Sequence, residues 1–260
     1  GEETMLSRLL NADATFLATR QRLSTTLGRF EVAFTTQQGI PSTTSLDNQA
    51  VEKEPTPLFF SETLSTHWEQ SSGLAMGAHL THFSYHDLPM QLAMQTLELG
   101  NTVRPTSTER GVFLYRYEGI DSRLFIQAPR WGFWQPSFSV SYIENLMAPT
   151  GTQGLLIESQ QKLTPSPFHQ WSFQLGWFEN QSDSAPSAFN DWRLGHNGRT
   201  GQYAALKYTY VPLEFEVKTD LVTTQVLRGR DSQDIGGRTG QLQTDSTLIL
   251  FSVLKRFSYE

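Results

Sequence analysis

The chain of 260 residues has no cysteine, which excludes disulfide cross-links, thiolate metal sites and cysteine nucleophiles. Charge is sparse at 18%, against roughly 25% in typical soluble domains, and positive charge is the scarcer sign. With 20 Lys and Arg against 26 Asp and Glu, the formal net charge is -6, so no overall positive field holds a nucleic-acid backbone and no nucleic-acid partner is expected. Long apolar runs are also missing. Leu248-Ile249-Leu250-Phe251 is far shorter than the about 20 residues of a membrane-spanning helix. The residues after Gly1 lack a charged region followed by an apolar core, so an exported chain is expected to have lost its signal peptide. Aromatic residues, at 12%, exclude disorder. One membrane architecture survives these absences: a closed β-barrel, whose strands alternate apolar and polar side chains.

That alternation is what the sequence contains. Trp171, Phe173, Leu175 and Trp177 alternate with Gln170, Ser172, Gln174 and Gly176. Phe138, Val140 and Tyr142 alternate with Ser137, Ser139 and Ser141. Leu206, Tyr208 and Tyr210 oppose Lys207 and Thr209, while Phe215 and Val217 oppose Glu214, Glu216, Lys218 and Asp220. Period two places such residues on opposite faces of a strand. Strands are expected at 29–37, 58–70, 74–86, 90–99, 111–118, 122–129, 135–145, 153–163, 168–179, 201–211, 214–227 and 244–257. The stretch 90–99 also fits a helix, because Met90, Met94 and Leu97 have helical spacing. Residues 1–28 are expected to be an N-terminal segment, helical or irregular over 4–22, and 29–260 the barrel. A strand number of about twelve follows, with fourteen as the alternative.

Proline-rich tight turns at Thr164-Pro165-Ser166-Pro167 and Val211-Pro212-Leu213 alternate with long polar connections at 180–200 and 228–240. A short repeat, Gly198-Arg199-Thr200-Gly201-Gln202 and Gly237-Arg238-Thr239-Gly240-Gln241, precedes two of the strands. The last strand places Phe251, Val253 and Phe257 at alternate positions and ends in an aromatic, with Ser258-Tyr259-Glu260 following. In this it resembles the closing strand of Gram-negative outer-membrane porins and related β-barrels. The resemblance implies an all-β, antiparallel transmembrane barrel in the bacterial outer membrane, with short turns at one end and long loops at the other. It would be a porin-like passive pore for small hydrophilic solutes or a structural envelope barrel.

In such a barrel the lipid-facing side chains are Phe138, Val140, Tyr142, Trp171, Phe173, Leu175, Trp177, Leu206, Tyr208, Tyr210, Phe215, Val217 and Phe257. Arg116, Arg123, Gln170, Gln174, Lys207, Glu214, Glu216, Lys218 and Asp220 line the lumen, because charge facing lipid costs about 2–4 kcal/mol for a midplane lysine or arginine. Tyr117, Tyr142 and Trp177 are expected in an aromatic belt at the long-loop end, and Tyr210, Phe215 and Phe257 in one at the other end. Small residues read as outward, Ala33, Gly77 and Ala204, suggest close packing of barrels, so a homo-oligomer is expected alongside outer-membrane lipid and small solutes as partners.

Two other classes stay open. A soluble β-rich module could bind carbohydrate through Trp131, Trp134 and Trp192. A barrel hydrolase could draw on Ser182, Asp183 and Ser184 beside Asp191 and His196, although no G-x-S-x-G or H-E-x-x-H motif selects them. His79, His82 and His86 alternate between faces, which argues against a three-point metal site. No catalytic residue, metal or cofactor is expected.

Overall fold

The strands of the main sheet are long, between 10 and 14 residues, about twice the usual five or six. The structure is a computed structural model that describes residues 7–11, 15–42, 55–106, 110–227 and 244–255. A short helix, α1 (Arg8–Asn11), precedes β1 (Thr15–Leu27), β2 (Phe30–Ser42), β3 (Leu58–Glu69) and β4 (Ala75–His86). Then come α2 (Met90–Glu98), β5 (Val103–Pro105) and β6 (Gly111–Phe113). The remaining strands are β7 (Tyr117–Gln127), β8 (Trp134–Asn145), β9 (Gln153–Ser166), β10 (His169–Asn180), β11 (Arg199–Tyr210), β12 (Phe215–Val226) and β13 (Ser246–Lys255).

Eleven of these form one antiparallel sheet in the order β1-β2-β3-β4-β7-β8-β9-β10-β11-β12-β13, and β5 with β6 forms a separate hairpin. The sheet is open: no pairing joins β1 to β13 among the described residues. The strand ends joined through 28–29, 70–74, 128–133, 167–168 and 211–214 lie at one end of the sheet, and the strand ends that flank 43–57, 87–116, 146–152, 181–198 and 227–245 at the other. No described helix is long and apolar enough to cross a membrane.

Several boundaries differ from the sequence reading. Residues 15–27 are a strand, not helix or irregular chain, because each residue pairs with β2, from Thr15 opposite Ser42 to Leu27 opposite Phe30. Residues 90–98 are helical, with Leu92 and Ala93 buried, so the spacing of Met90, Met94 and Leu97 outweighs alternation there. The expected hairpin of 111–118 and 122–129 does not form. Tyr117–Gln127 is one strand, and Gly111–Phe113 turns away to pair with Val103–Pro105. The sheet therefore has eleven strands where about twelve were expected. The second copy of the glycine-arginine repeat, at 237–241, and Phe257 lie outside the described residues.

Residues paired across a ladder share a face. Register thus carries Phe59, Phe83, Tyr117, Ile143, Leu156, Phe178, Tyr203 and Val222 onto one face at the long-loop end. All of them belong to a single buried cluster with Leu9, Leu10, Leu92 and Phe189. Strands from β3 to β12 can meet in one cluster only if the sheet curls around it. The core consequently sits inside the curl, filled by α1, α2 and residues of the 181–198 connection. The opposite face carries Leu64, Leu80, Leu124, Val140, Leu175, Leu206 and Leu221 with no second layer over it among the described residues.

Adjacent residues on β3 report the two faces, Phe59 being 0% and Phe60 38% exposed. Phe59→Ala is expected to cost about 3–5 kcal/mol. Phe60→Ala, which opens no cavity in the buried cluster, should cost distinctly less, measured by urea unfolding. Equal losses would show that the two faces are not distinct.

Candidate functional site

Polar residues dominate the inner face, and they divide it into two zones. At the long-loop end, α1 places Arg8 among three side chains from distant parts of the chain. Its Nε donates to Asp191 Oδ2 at 2.6 Å and its Nη1 to Glu158 Oε1 at 3.1 Å, while Nη2 also pairs with Asp191. The guanidinium lies 4.9 Å from the centre of the Tyr203 ring. Tyr203 donates its hydroxyl to Glu158, which also accepts from Gln174 Nε2 at 3.0 Å and Ser139 Oγ at 3.3 Å. Gly176 makes this reach possible. It lies between Glu158 and Tyr203 in register, and a Cβ there would meet the Tyr203 ring at 2.0 Å. Ser7 adds a second anchor through its amide, which donates to Asp121 Oδ2 at 3.0 Å, and through its hydroxyl on the same carboxylate.

The long connections close over this hub. Asn101 Nδ2 donates to the carbonyls of Ser182 and Ala185 at 2.7 and 3.0 Å, and its Oδ1 accepts from the Ser187 amide at 2.8 Å. Asp183 accepts from the Thr102 amide at 2.9 Å, the Thr102 hydroxyl at 2.6 Å and Tyr117 Oη at 3.2 Å. These bonds satisfy loop backbone that water would otherwise have to reach. Burial raises the Asp191 carboxyl, but Arg8 and Arg193 outweigh it and hold the group below the ordinary carboxylate range. Burial likewise works against the Arg8 cation, and Asp191, Tyr203 and Glu158 outweigh it, so its pKa is raised. In the 181–198 connection, burial lowers His196, whose Nδ1 lies 2.7 Å from the Ser187 carbonyl oxygen.

Toward the tight-turn end the inner face surrounds a cavity of about 430 Å³, bordered by His79, Arg123, Ser137, Gln160, Lys162 and Gln174, among others. A smaller recess of about 250 Å³ lies beside Arg8, Tyr203, Lys218 and Asp220.

Of the residues expected to line a lumen, Arg123, Gln170, Gln174, Lys207, Glu216, Lys218 and Asp220 occupy the inner face. Lys207 pairs with Glu216 at 2.7 Å and Lys218 with Asp220 at 2.8 Å. Arg116 and Glu214 do not join them. Arg116 is exposed just before β7, and Glu214 sits in the tight turn after Pro212 with a left-handed backbone, φ 47°. The twelve described residues expected on the apolar side, from Phe138 to Val217, all lie on the outer face. Tyr117 is not in a belt but points inward to Asp183. Ala204 faces outward, whereas Ala33 is buried inside and Gly77 lies under the inward Phe125 ring, so two of the three residues that suggested oligomer packing do not serve it.

Trp131 and Trp134 stack edge-on at 5.3 Å in the exposed β7–β8 turn, and Trp192 opens a short 3-10 turn. The loop residues considered for hydrolysis serve as structural clamps: Ser184 donates to Asn180 Oδ1 at 2.6 Å, Asp183 holds Thr102, and Asp191 holds Arg8. His82 and His86 lie on the outer face and His79 on the inner one. Comparison with protein-family models, curated proteins and solved structures finds no match to this chain.

Because the Asp191 carboxyl titrates below its unfolded value, its stabilisation is present above that value and lost as pH falls through the folded one. The Asp191 amide, which donates to the Arg8 carbonyl at 3.2 Å, should therefore stay protected from hydrogen exchange below pH about 3.9. In Asp191→Asn the protection should fall at neutral pH. Release in the wild type well above that pH would refute the assignment.

Proposed function

We propose that this chain is a bacterial outer-membrane β-barrel whose polar interior admits small hydrophilic solutes from the tight-turn end and is stoppered at the long-loop end by Ser7–Leu10 and the clamped connections. The uncovered apolar outer face carries this reading. Leu17, Leu23, Ile249 and Phe251 are each at least 70% exposed, and the other strands continue the row. Strands of 10 to 14 residues match a tilted crossing, which needs about 9–11. Outward aromatics at Trp68, Trp134, Trp171, Tyr208 and Tyr210 near the tight turns, and at Tyr142 and Trp177 near the loops, suit two interfacial belts.

Hydrocarbon also supports closure. Unpaired backbone groups there cost several kcal/mol each, which the edges of β1 and β13 would incur. Both strands run from the long-loop end to the tight-turn end, so the proposed closure would be a parallel pair. The clamped stopper favours a second reading, a structural envelope barrel that does not conduct.

The absence of cysteine provides a clean background for locating the seam. Ser24→Cys combined in turn with Leu250→Cys, Ser252→Cys and Leu254→Cys places two inward thiols on neighbouring strands about 4.8 Å apart. One combination should form an intrachain disulfide. Disulfide-linked dimers would assign the edges to a second copy, and no cross-link would refute closure.

In planar bilayers the wild type should conduct weakly. Arg8→Ala and Asp191→Asn, which unlatch α1, should raise single-channel conductance several-fold while heat-modifiable gel mobility shows both variants folded. Folded variants that remain silent would leave the envelope reading and overturn solute passage.

A further inference from the structure

We infer that the larger interior cavity is a binding site for small solutes bearing a carboxylate or phosphate, with Arg123 and Lys162 as the cations that receive them. This deepens the proposed function and rests on its premise that the interior is wetted.

Most carboxylates on the inner face are paired, and two cations border the cavity without an ion pair; Arg199, elsewhere on that face, donates instead to Thr224 Oγ1 at 2.8 Å. Glu31 is neutralised by Arg22 at 2.6 Å. Glu158 accepts from Arg8, Tyr203, Gln174 and Ser139, so its charge is already spent on the stopper. Glu216 and Asp220 are matched by Lys207 and Lys218. At the rim, Glu69 lies 3.8 Å from His67. Arg123 and Lys162 both border the cavity, and neither forms an ion pair or a side-chain hydrogen bond among the described residues.

The Nε of Arg123 is buried and has no hydrogen-bond partner. The carboxylate that acts on it, Asp121, is two residues away on the same face of β7 and is held by both donors of Ser7. A buried guanidinium nitrogen without an acceptor carries a desolvation cost that an entering anion would remove. Between the two cations, β8 presents Ser137 and Ser139 to the cavity; their hydroxyls donate to the Gln160 carbonyl and Glu158, and their oxygens can accept from a solute hydroxyl. A small carboxylate or phosphate fits a space of about 430 Å³ with room for water.

Inorganic phosphate is the probe, titrated calorimetrically into the detergent-solubilised full chain, so that binding is read without conduction. Saturable binding should weaken at least ten-fold in Arg123→Gln and in Lys162→Gln. Arg130→Gln, at the exposed β7–β8 turn, should bind as the wild type does. Heat-modifiable mobility confirms that each variant is folded. No saturable binding, or equal binding by all the folded variants, overturns the site. Phosphate binding in a protein that never conducts would leave the site standing and remove solute passage, which separates the two proposals.

Discussion

An apolar face with nothing over it among the described residues is the constraint from which the rest of this structure follows. A large aliphatic or aromatic side chain left in water forgoes about 1.5–3 kcal/mol of burial, and soluble monomers rarely expose contiguous apolar patches beyond a few hundred Å². Here the exposed row runs across the sheet from Leu17 and Leu23 on β1 to Phe251 and Val253 on β13. A soluble sandwich would have spent that face on a second sheet, but the second layer among the described residues, made of α1, α2 and the 181–198 connection, lies on the other side. Hydrocarbon as the proposed solvent for the outer face resolves this inversion, and it also accounts for strands twice the ordinary length.

The inner face solves the opposite problem. Charges removed from bulk water must be paired and hydrogen-bonded, and breaking one partner away from a buried pair costs about 3–5 kcal/mol. Asp191 and Glu158 converge on one guanidinium, so Arg8 compensates two carboxylates from different elements at once. The arrangement needs Gly176, because any side chain there would displace the Tyr203 ring that completes the Glu158 shell. A single glycine in a strand is thus tied to a close approach between side chains on its two neighbours, not to a turn.

Alternation made the outer face legible, and it did so residue by residue: Phe138, Trp171, Leu206 and Val217 needed only their neighbours' identities to be placed. The charged inner residues on β11 and β12 were legible in the same way, down to the Lys207–Glu216 contact across adjacent strands. Arg116 and Glu214 failed where alternation stopped at an element's end. The hub around Arg8 and the clamps on the connections were not legible at all, because Arg8 meets Asp191 across 183 positions of sequence and Asn101 meets Ser182 across 81. Glu158 had a weak signal, an acid between Leu156 and Gln160 on the same face, opposite the serine-rich β8. Its role depends on Tyr203 and Arg8, which no local pattern joins to it.

The strand number itself follows from where Ser7 and Arg8 are anchored. An even-stranded sheet of hairpins has both termini at one end, and the expectation of about twelve strands assumed that both lay with the tight turns. Ser7 and Arg8 are instead fixed inside the long-loop end by Asp121, Glu158 and Asp191. Only residues 12–14 separate α1 from β1, too short a link to cross the sheet at about 3.3–3.6 Å per residue. The first strand must therefore start at the long-loop end and run toward the tight turns. The last strand, β13, also ends at the tight turns, so the termini lie at opposite ends and the count between them is odd. A parallel seam is then no separate feature of the proposed barrel but the geometric consequence of anchoring one arginine inside it.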